Sequence, residues 1–348
     1  MIDTHSDGQD RETTGVWRRF RSDRRGLAGV WLLGGLVLMA ASAPMLANRL
    51  PIVCWYRGAF YFPAVADTVR SLPGGARVIE QSKPFRFPGF DARRELGSDD
   101  FALWPPIRLG PRETSATILA GPCAAHWLGT DEVGRDVLAR LLHGASKSLG
   151  IGLGAMMLAA MIGVSMGAVA GYFGGGIDIV VSRFIELVMC FPVFFLLLAI
   201  MVWVGPGAGA LGLALILGLT RWTSIARYTR AEFLRMRNEE YVAGCRALGA
   251  GPVRIILRHI LPAAMVPILV AVAFGTANVI LIEAGLSWLG FGVAPPAASW
   301  GLMLRSGYEN MSRAPHLIYV SCTAIFLTVM ACNLIAESLR RAMQPRES

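Results

Sequence analysis

The chain has 348 residues, 54% of them hydrophobic and only 16% charged, with a mean hydropathy of +0.50. Soluble domains approach a quarter charged residues, so an ordinary soluble fold is excluded unless several long helices were buried on every side. The formal net charge of +9 is almost all arginine, Lys83 and Lys147 being the only lysines; without a zinc finger or a phosphate-reading loop, it points to a membrane surface and away from nucleic acid.

The apolar residues come in uncharged tracts, at 27–48, 148–177, 187–220, 260–282 and 314–336. Each reaches the roughly 20 residues that a helix needs to cross about 30 Å of hydrocarbon. The third tract is long enough for two helices and is interrupted by GPGAG at 205–209, a natural turn. The expected architecture is therefore an all-α integral membrane protein with six spans, and the absence of alternation inside the tracts argues against a β-barrel.

In chain order, residues 1–26 read as a polar, partly disordered tail, followed by a first span at 27–48 that is longer than a signal-peptide core and lacks a small-residue cleavage site. Its upstream flank, WRRFRSDRRG, carries five arginines against Asp23, which places the N-terminus in the cytoplasm. Six crossings return the chain to the same side, where 339–348 forms a second cytoplasmic tail. Residues 49–147 mix Pro, Gly and aromatics, in CWYRGAFYFPAV and FALWPPIRLG, and are expected to form a small ordered periplasmic elaboration. Its last part, DEVGRDVLARLLHG, offers Asp131 as a helix cap and places Val133, Val137, Leu138, Leu141 and Leu142 at helical spacing, an interfacial helix leading into the second span.

A five-helix core is expected over 148–338. Gly150, Gly154, Gly163 and Gly167 in the second span allow close helix approach. A turn at 174–176 starts the third span, with Asp178, Arg183 and Glu186 near its inner end. Arg221 falls about 18 Å into the fourth span, in the inner half of the bilayer, where snorkelling, pairing with a carboxylate such as Glu186, or transport work are the alternatives. Glu283, after the fifth span, is read as positioning the LSWLGFG turn or as gating.

Between the fourth and fifth spans the chain turns polar. Arg221 to Arg258 holds eight arginines against Glu232, Glu239 and Glu240, so this segment also belongs inside. Asn238 to Ala250 is expected to form a short helix capped by Asn238, with Tyr241, Cys245 and Leu248 on one apolar face. Gly249 permits a sharp exit, Pro252 starts the next helical stretch, and Pro262 and Pro267 mark its passage into the fifth span. The result is a knob held below the membrane by two long helices.

Chemical sites are weak by comparison. Asp131, Glu132, Arg135 and Asp136 fit a polar interfacial helix better than acid–base work. The five histidines lack metal-ligand spacing, and no GxxxxGK[ST] loop occurs, so the chain is not expected to be an enzyme or to hold a cofactor. Cys54 and Cys123, both in the outer region, leave a disulfide open.

The polar segment, MRNEEYVAGCRALGAGPVRIILRHILP, resembles the EAA loop of permease subunits from ATP-binding-cassette importers, which forms a coupling helix on the ATPase. The likeness includes Gly249, Leu261 and Pro262; it departs where Ala243, Gly244 and Cys245 replace the Glu-Ala-Ala triplet and where His259 replaces Ile. HWLGTDEVGRDVLARLLHGASKSLGIG and EAGLSWLGFGVAPPAASWGLML resemble the OppC/DppC group of peptide-importer permeases. CWYRGAFYFPAV and WPPIR are similar to its longer, YejE-type members, associated with oligopeptide and microcin C uptake.

The resemblance implies a MetI-like permease core in a bacterial inner membrane. It implies a coupling site of Glu240, Tyr241, Ala243, Gly244, Cys245, Leu248, Gly249, Leu261 and Pro262, within a segment at 235–262. It further implies a second permease, two cytoplasmic ATPase domains that use ATP and Mg, a periplasmic binding protein and a peptide substrate. A nickel or other small-solute permease would keep the same coupling architecture. An ion-coupled secondary carrier should instead show an inverted repeat or broken helices holding an ion at mid-membrane.

Overall fold

The structure, a computed structural model, describes residues 15–56, 59–64, 101–205 and 209–344. The tail reading for residues 1–14, the centre of the GPGAG turn at 206–208 and the last four residues lie outside the described residues.

Ten helices are labelled here in chain order: α1 (Arg24–Leu46), α2 (Val137–Phe173), α3 (Gly175–Met189), α4 (Val193–Val204), α5 (Gly209–Met236), α6 (Glu240–Ala247), α7 (Pro252–Ile255), α8 (Leu261–Trp288), α9 (Trp300–Glu309) and α10 (His316–Met343). Among the described residues, five helical stretches are long and apolar enough to cross a membrane: α1, α2, α5, α10 and the run from α7 through α8. The α3–α4 pair passes the same test together but is bent by 76°; counted as one broken span, it brings the total to six. Pro192 explains the bend, because it has no N–H to donate and its ring opposes a continuing helix, so α4 restarts with Pro192 as its N-cap.

The chain divides into two compact units, one of 1–35, 149–294 and 325–348, the other of 36–148 and 295–324. In the first unit α2 and α5 cross closely, and glycine is the reason. A Cβ added to Gly163, Gly167 or Gly171 would lie within 2.7 Å of α5 backbone or Cβ atoms from Trp222 to Phe233. Gly150 meets nothing within 4 Å and Gly154 only the Ala214 Cβ at 4.0 Å. Of the four glycines singled out from sequence, two therefore lie at this crossing, and Gly171 continues their four-residue stripe.

Part of the N-terminal segment is ordered. Residues 15–22 are helical; Phe20 packs with Val266, Leu339 and Ala342, and Arg19 donates to the carbonyl oxygens of Ala342 and Gln344 at 3.3 and 3.4 Å. The two terminal segments thus meet at one end of the first unit, beside the start of α8.

In the second unit, the outer elaboration contains a three-stranded antiparallel sheet in the order β2-β1-β3, from β1 (Val53–Tyr56), β2 (Ala59–Tyr61) and β3 (Ala102–Leu103). The interfacial helix expected near Asp131 is simply the start of α2. Its cap is Asp136, whose carboxylate accepts from Ala139 N at 2.8 Å and contacts His126 Nδ1 at 2.9 Å. Asp131 instead closes the preceding turn, accepting from Val133 N and Arg135 N, and pairs with Arg135 at 2.7 Å and buried Arg140 at 3.3 Å. No disulfide joins Cys54 to Cys123.

Candidate functional site

The polar segment between α5 and α8 is built as a braced knob. Its core is a cluster of Tyr172 from the end of α2, Phe233 and Met236 from the end of α5, Val242 of α6, Ile255 of α7, and Ile260, Ala264 and Ile268 leading into α8. Burying each of the larger apolar side chains contributes about 1.5–3 kcal/mol, so three helix ends are fixed around the knob. Arg246 adds a cation–π contact 5.2 Å above the Tyr172 ring, and Arg237 Nη1 donates to the Tyr172 carbonyl at 3.5 Å.

Backbone chemistry sets the knob's edges. The α6 N-cap is Glu239, in extended conformation and without a side-chain cap hydrogen bond, so the Asn238 cap is not formed and the helix starts two residues later than expected. At the other end Ala250 N donates to Cys245 O and Gly249 N to Arg246 O, both at 3.0 Å. This is a Schellman closure, and it requires the left-handed backbone that Gly249 adopts at φ +81. Gly251 then caps α7, with Pro252 in its first turn. Between α7 and α8 lies a π-helical turn, Ile256–Ile260. Pro262 accounts for it: proline cannot donate to the carbonyl of residue 258, and its ring pushes that carbonyl aside, widening the helix by one residue.

The predicted site residues divide into two sets. Tyr241, Cys245 and Leu261 turn inward, partly buried against the cluster. Glu240, Ala243, Gly244, Leu248, Gly249 and Pro262 are exposed. The expected Tyr241–Cys245–Leu248 face is therefore split, because Val242 takes the fully buried position and rotates Leu248 outward. Leu248 is 76% exposed, joined as an exposed apolar side chain by Val253 at 66% and Leu257 at 59%. Sequence reasoning missed these last two, whose i, i+4 spacing is itself an apolar stripe. Of the altered triplet, Ala243 and Gly244 lie on the exposed face and Cys245 on the braced one.

The two deeper candidates behave differently. Arg221 has a buried Nε with no hydrogen-bond partner among the described residues. Glu186 does not pair with it; it binds Arg183, one turn away on the same helix, at 2.7 Å, and at this level α3 meets α5 through Phe184 stacked on Trp222. Glu283 is fully buried inside α8 and accepts from Ser287 Oγ at 2.8 Å. The turn that follows is closed by Gly290 N to Ser287 O and Phe291 N to Leu286 O, at 3.1 and 2.8 Å, so the residue hydrogen-bonded to Glu283 is also the one whose carbonyl closes the LSWLGFG turn. No cluster of three or more potential metal ligands occurs among the described residues.

Several apolar spans, a bent span and a braced polar knob define a multi-pass membrane protein. Residues 163–348 match the family described as the inner membrane component of binding-protein-dependent transport systems, and residues 13–52 match the N-terminal TM domain of oligopeptide transport permease C. The chain belongs to this family of non-catalytic inner-membrane permeases. It is 34% identical to the peptidoglycan transport system permease protein YejE of Agrobacterium fabrum, over 95% of this chain and 92% of that one. It is 33% identical to the inner membrane ABC transporter permease protein YejE of Escherichia coli, over 95% and 96%, and 38% identical to the dipeptide transport system permease protein DppC of Bacillus subtilis, over 65% and 70%. An inward-facing structure of the MetNI methionine ABC transporter superposes with a TM-score of 0.47 at 17% identity, over 59% of this chain and 97% of the other.

Proposed function

We propose that the chain forms half of the translocation path of an ATP-driven importer for peptides or peptide-bearing compounds, and that the exposed face of its knob docks on a cytoplasmic ATPase. The observation that carries this reading is the contrast between the knob's two sides. One is locked into the ends of α2, α5 and α8 by Val242, Ile255 and Ile260, while the other presents Leu248, Val253 and Leu257 among small residues. An apolar patch on a rigid mount fits a groove, and its bracing gives ATPase closure a direct mechanical route to three spans.

The remaining partners are a second permease, two ATPase domains using ATP and Mg, and a periplasmic binding protein. Both termini and the knob face the cytoplasm in this reading. It is supported by the arginines flanking α1 and α10 and by the packing of residues 15–22 against the last turns of α10. The relatives named for peptidoglycan and dipeptide transport favour a peptide-bearing substrate over nickel or another small solute. The test is ATP hydrolysis by the reconstituted assembly, with stimulation expected from peptides carried by the binding protein. Stimulation by a metal complex and by no peptide would overturn the substrate assignment.

A further inference from the structure

An open cleft of about 520 Å³ lies between α3 and α5, lined by Ser182, Ile185, Glu186, Met189, Cys190, Arg227 and Arg230. Its charges are unevenly satisfied. Arg230 is committed to Asp178 through both Nε and Nη2, the latter 2.7 Å from Oδ2. Glu186 is committed to Arg183 at 2.7 Å. Arg227 reaches only the Met189 thioether, its Nη1 3.5 Å from Sδ, and forms no ion pair among the described residues. Three arginines against two carboxylates leave one positive charge over, and it belongs to Arg227.

The position of this charge gives it meaning. Arg227 lies 18 residues along α5 from Gly209, about 27 Å, at the inner rim of a hydrocarbon layer of about 30 Å. The cleft reaches Met189 and Cys190, where α3 ends and the span bends by 76°. At this rim a guanidinium can snorkel to water or headgroups at little cost, and here the side chain is exposed in an open cleft, where its charge is available to an anion. Arginine's planar, always-charged fork also suits a carboxylate, which it can hold through two parallel hydrogen bonds.

We propose that Arg227 receives a carboxylate of the transported peptide at the inner mouth of the path. The proposal rests on the peptide-importer reading above. A lipid phosphate presents similar anionic chemistry, so the test separates the two sources.

The complete assembly is reconstituted in vesicles of zwitterionic lipid and, separately, of mixed zwitterionic and anionic lipid. Two labelled peptides, identical except that one ends in a free carboxylate and the other in a carboxamide, are each supplied at saturating occupancy of the binding protein. Single-turnover uptake is then compared. In the wild type the acid is expected to enter about fivefold faster than the amide, as one exposed charge contact implies. Arg227→Gln is expected to erase that ratio by slowing the acid alone, and Arg227→Lys to keep part of it.

An unchanged acid-to-amide ratio in Arg227→Gln would overturn the proposal. So would an equal fall for both peptides that appears only with anionic lipid, which would assign Arg227 to a headgroup. If the wild type moves neither peptide yet hydrolyses ATP in response to a metal complex, the importer reading fails and takes this proposal with it.

Discussion

Gly167→Ala should loosen the crossing of α2 and α5, and Gly150→Ala, on the same helix, should not. The added Cβ at 167 would lie 2.5 Å from the Ala226 carbonyl oxygen, 2.7 Å from Thr229 Cβ and 3.0 Å from Arg230 N. Ordinary contact begins at 3.4 Å, so the α5 backbone must retreat by about 0.9 Å against its neighbours. Overpacking of this kind costs about 1–3 kcal/mol, set against a gain of about 0.5–1 kcal/mol from replacing a mid-helix glycine. At position 150 nothing lies within 4 Å of the new methyl group, and only the gain remains. The two variants should differ by about 2 kcal/mol, a factor of roughly 30 in the ratio of folded to unfolded protein. The assay is heat inactivation of the purified subunit in lipid nanodiscs, read as the rate of loss of the native chromatographic peak. A Gly167→Ala variant as heat-resistant as Gly150→Ala would refute the close crossing.

Three further outcomes follow from the same geometry. Asp178→Asn should destabilise the α3–α5 contact by about 1–3 kcal/mol by stranding the half-buried Arg230, and the swap of Asp178→Arg with Arg230→Asp should recover part of this in the same heat assay. Asp136→Ala should cost about 0.5–2 kcal/mol by uncapping α2, with Asp136→Asn retaining most of the stability because its side-chain oxygen still accepts from Ala139 N. Gly249→Ala should cost about 1–2 kcal/mol through left-handed backbone strain alone, since no atom lies within 4 Å of its new methyl group. Gly249→Asn should be milder; equal loss of knob protection from hydrogen exchange in both variants would contradict the Schellman closure.

Much of the membrane architecture was legible because hydropathy is a sum over some twenty residues and tolerates local error. The tracts at 27–48, 148–177, 260–282 and 314–336 each coincide with most of an observed span, and GPGAG falls at the start of α5. The features that escaped depend on which side of a helix faces a neighbour. Gly150 and Gly163 look alike in sequence, yet only the second lies against α5. Leu248 falls on the same helical face as Tyr241 and Cys245, but buried Val242 fixes the rotation of α6 and turns Leu248 outward. Asp131 and Asp136 are both plausible caps by spacing, and only the hydrogen bond from Ala139 N decides for Asp136. Pro192 did carry a readable signal for the bent span, in the CFP stretch inside an otherwise apolar run.

If the outward face of the knob docks on the ATPase, charge placed on that face must release the ATPase. Co-purification of the ATPase with a Leu248→Asp, Val253→Asp double variant tests it most directly, because both side chains are exposed and neither belongs to the buried cluster. The variant is expected to insert and resist heat like the wild type but to retain less than a tenth of the bound ATPase, as two charges in an apolar groove imply. Wild-type ATPase recovery from that variant would contradict it.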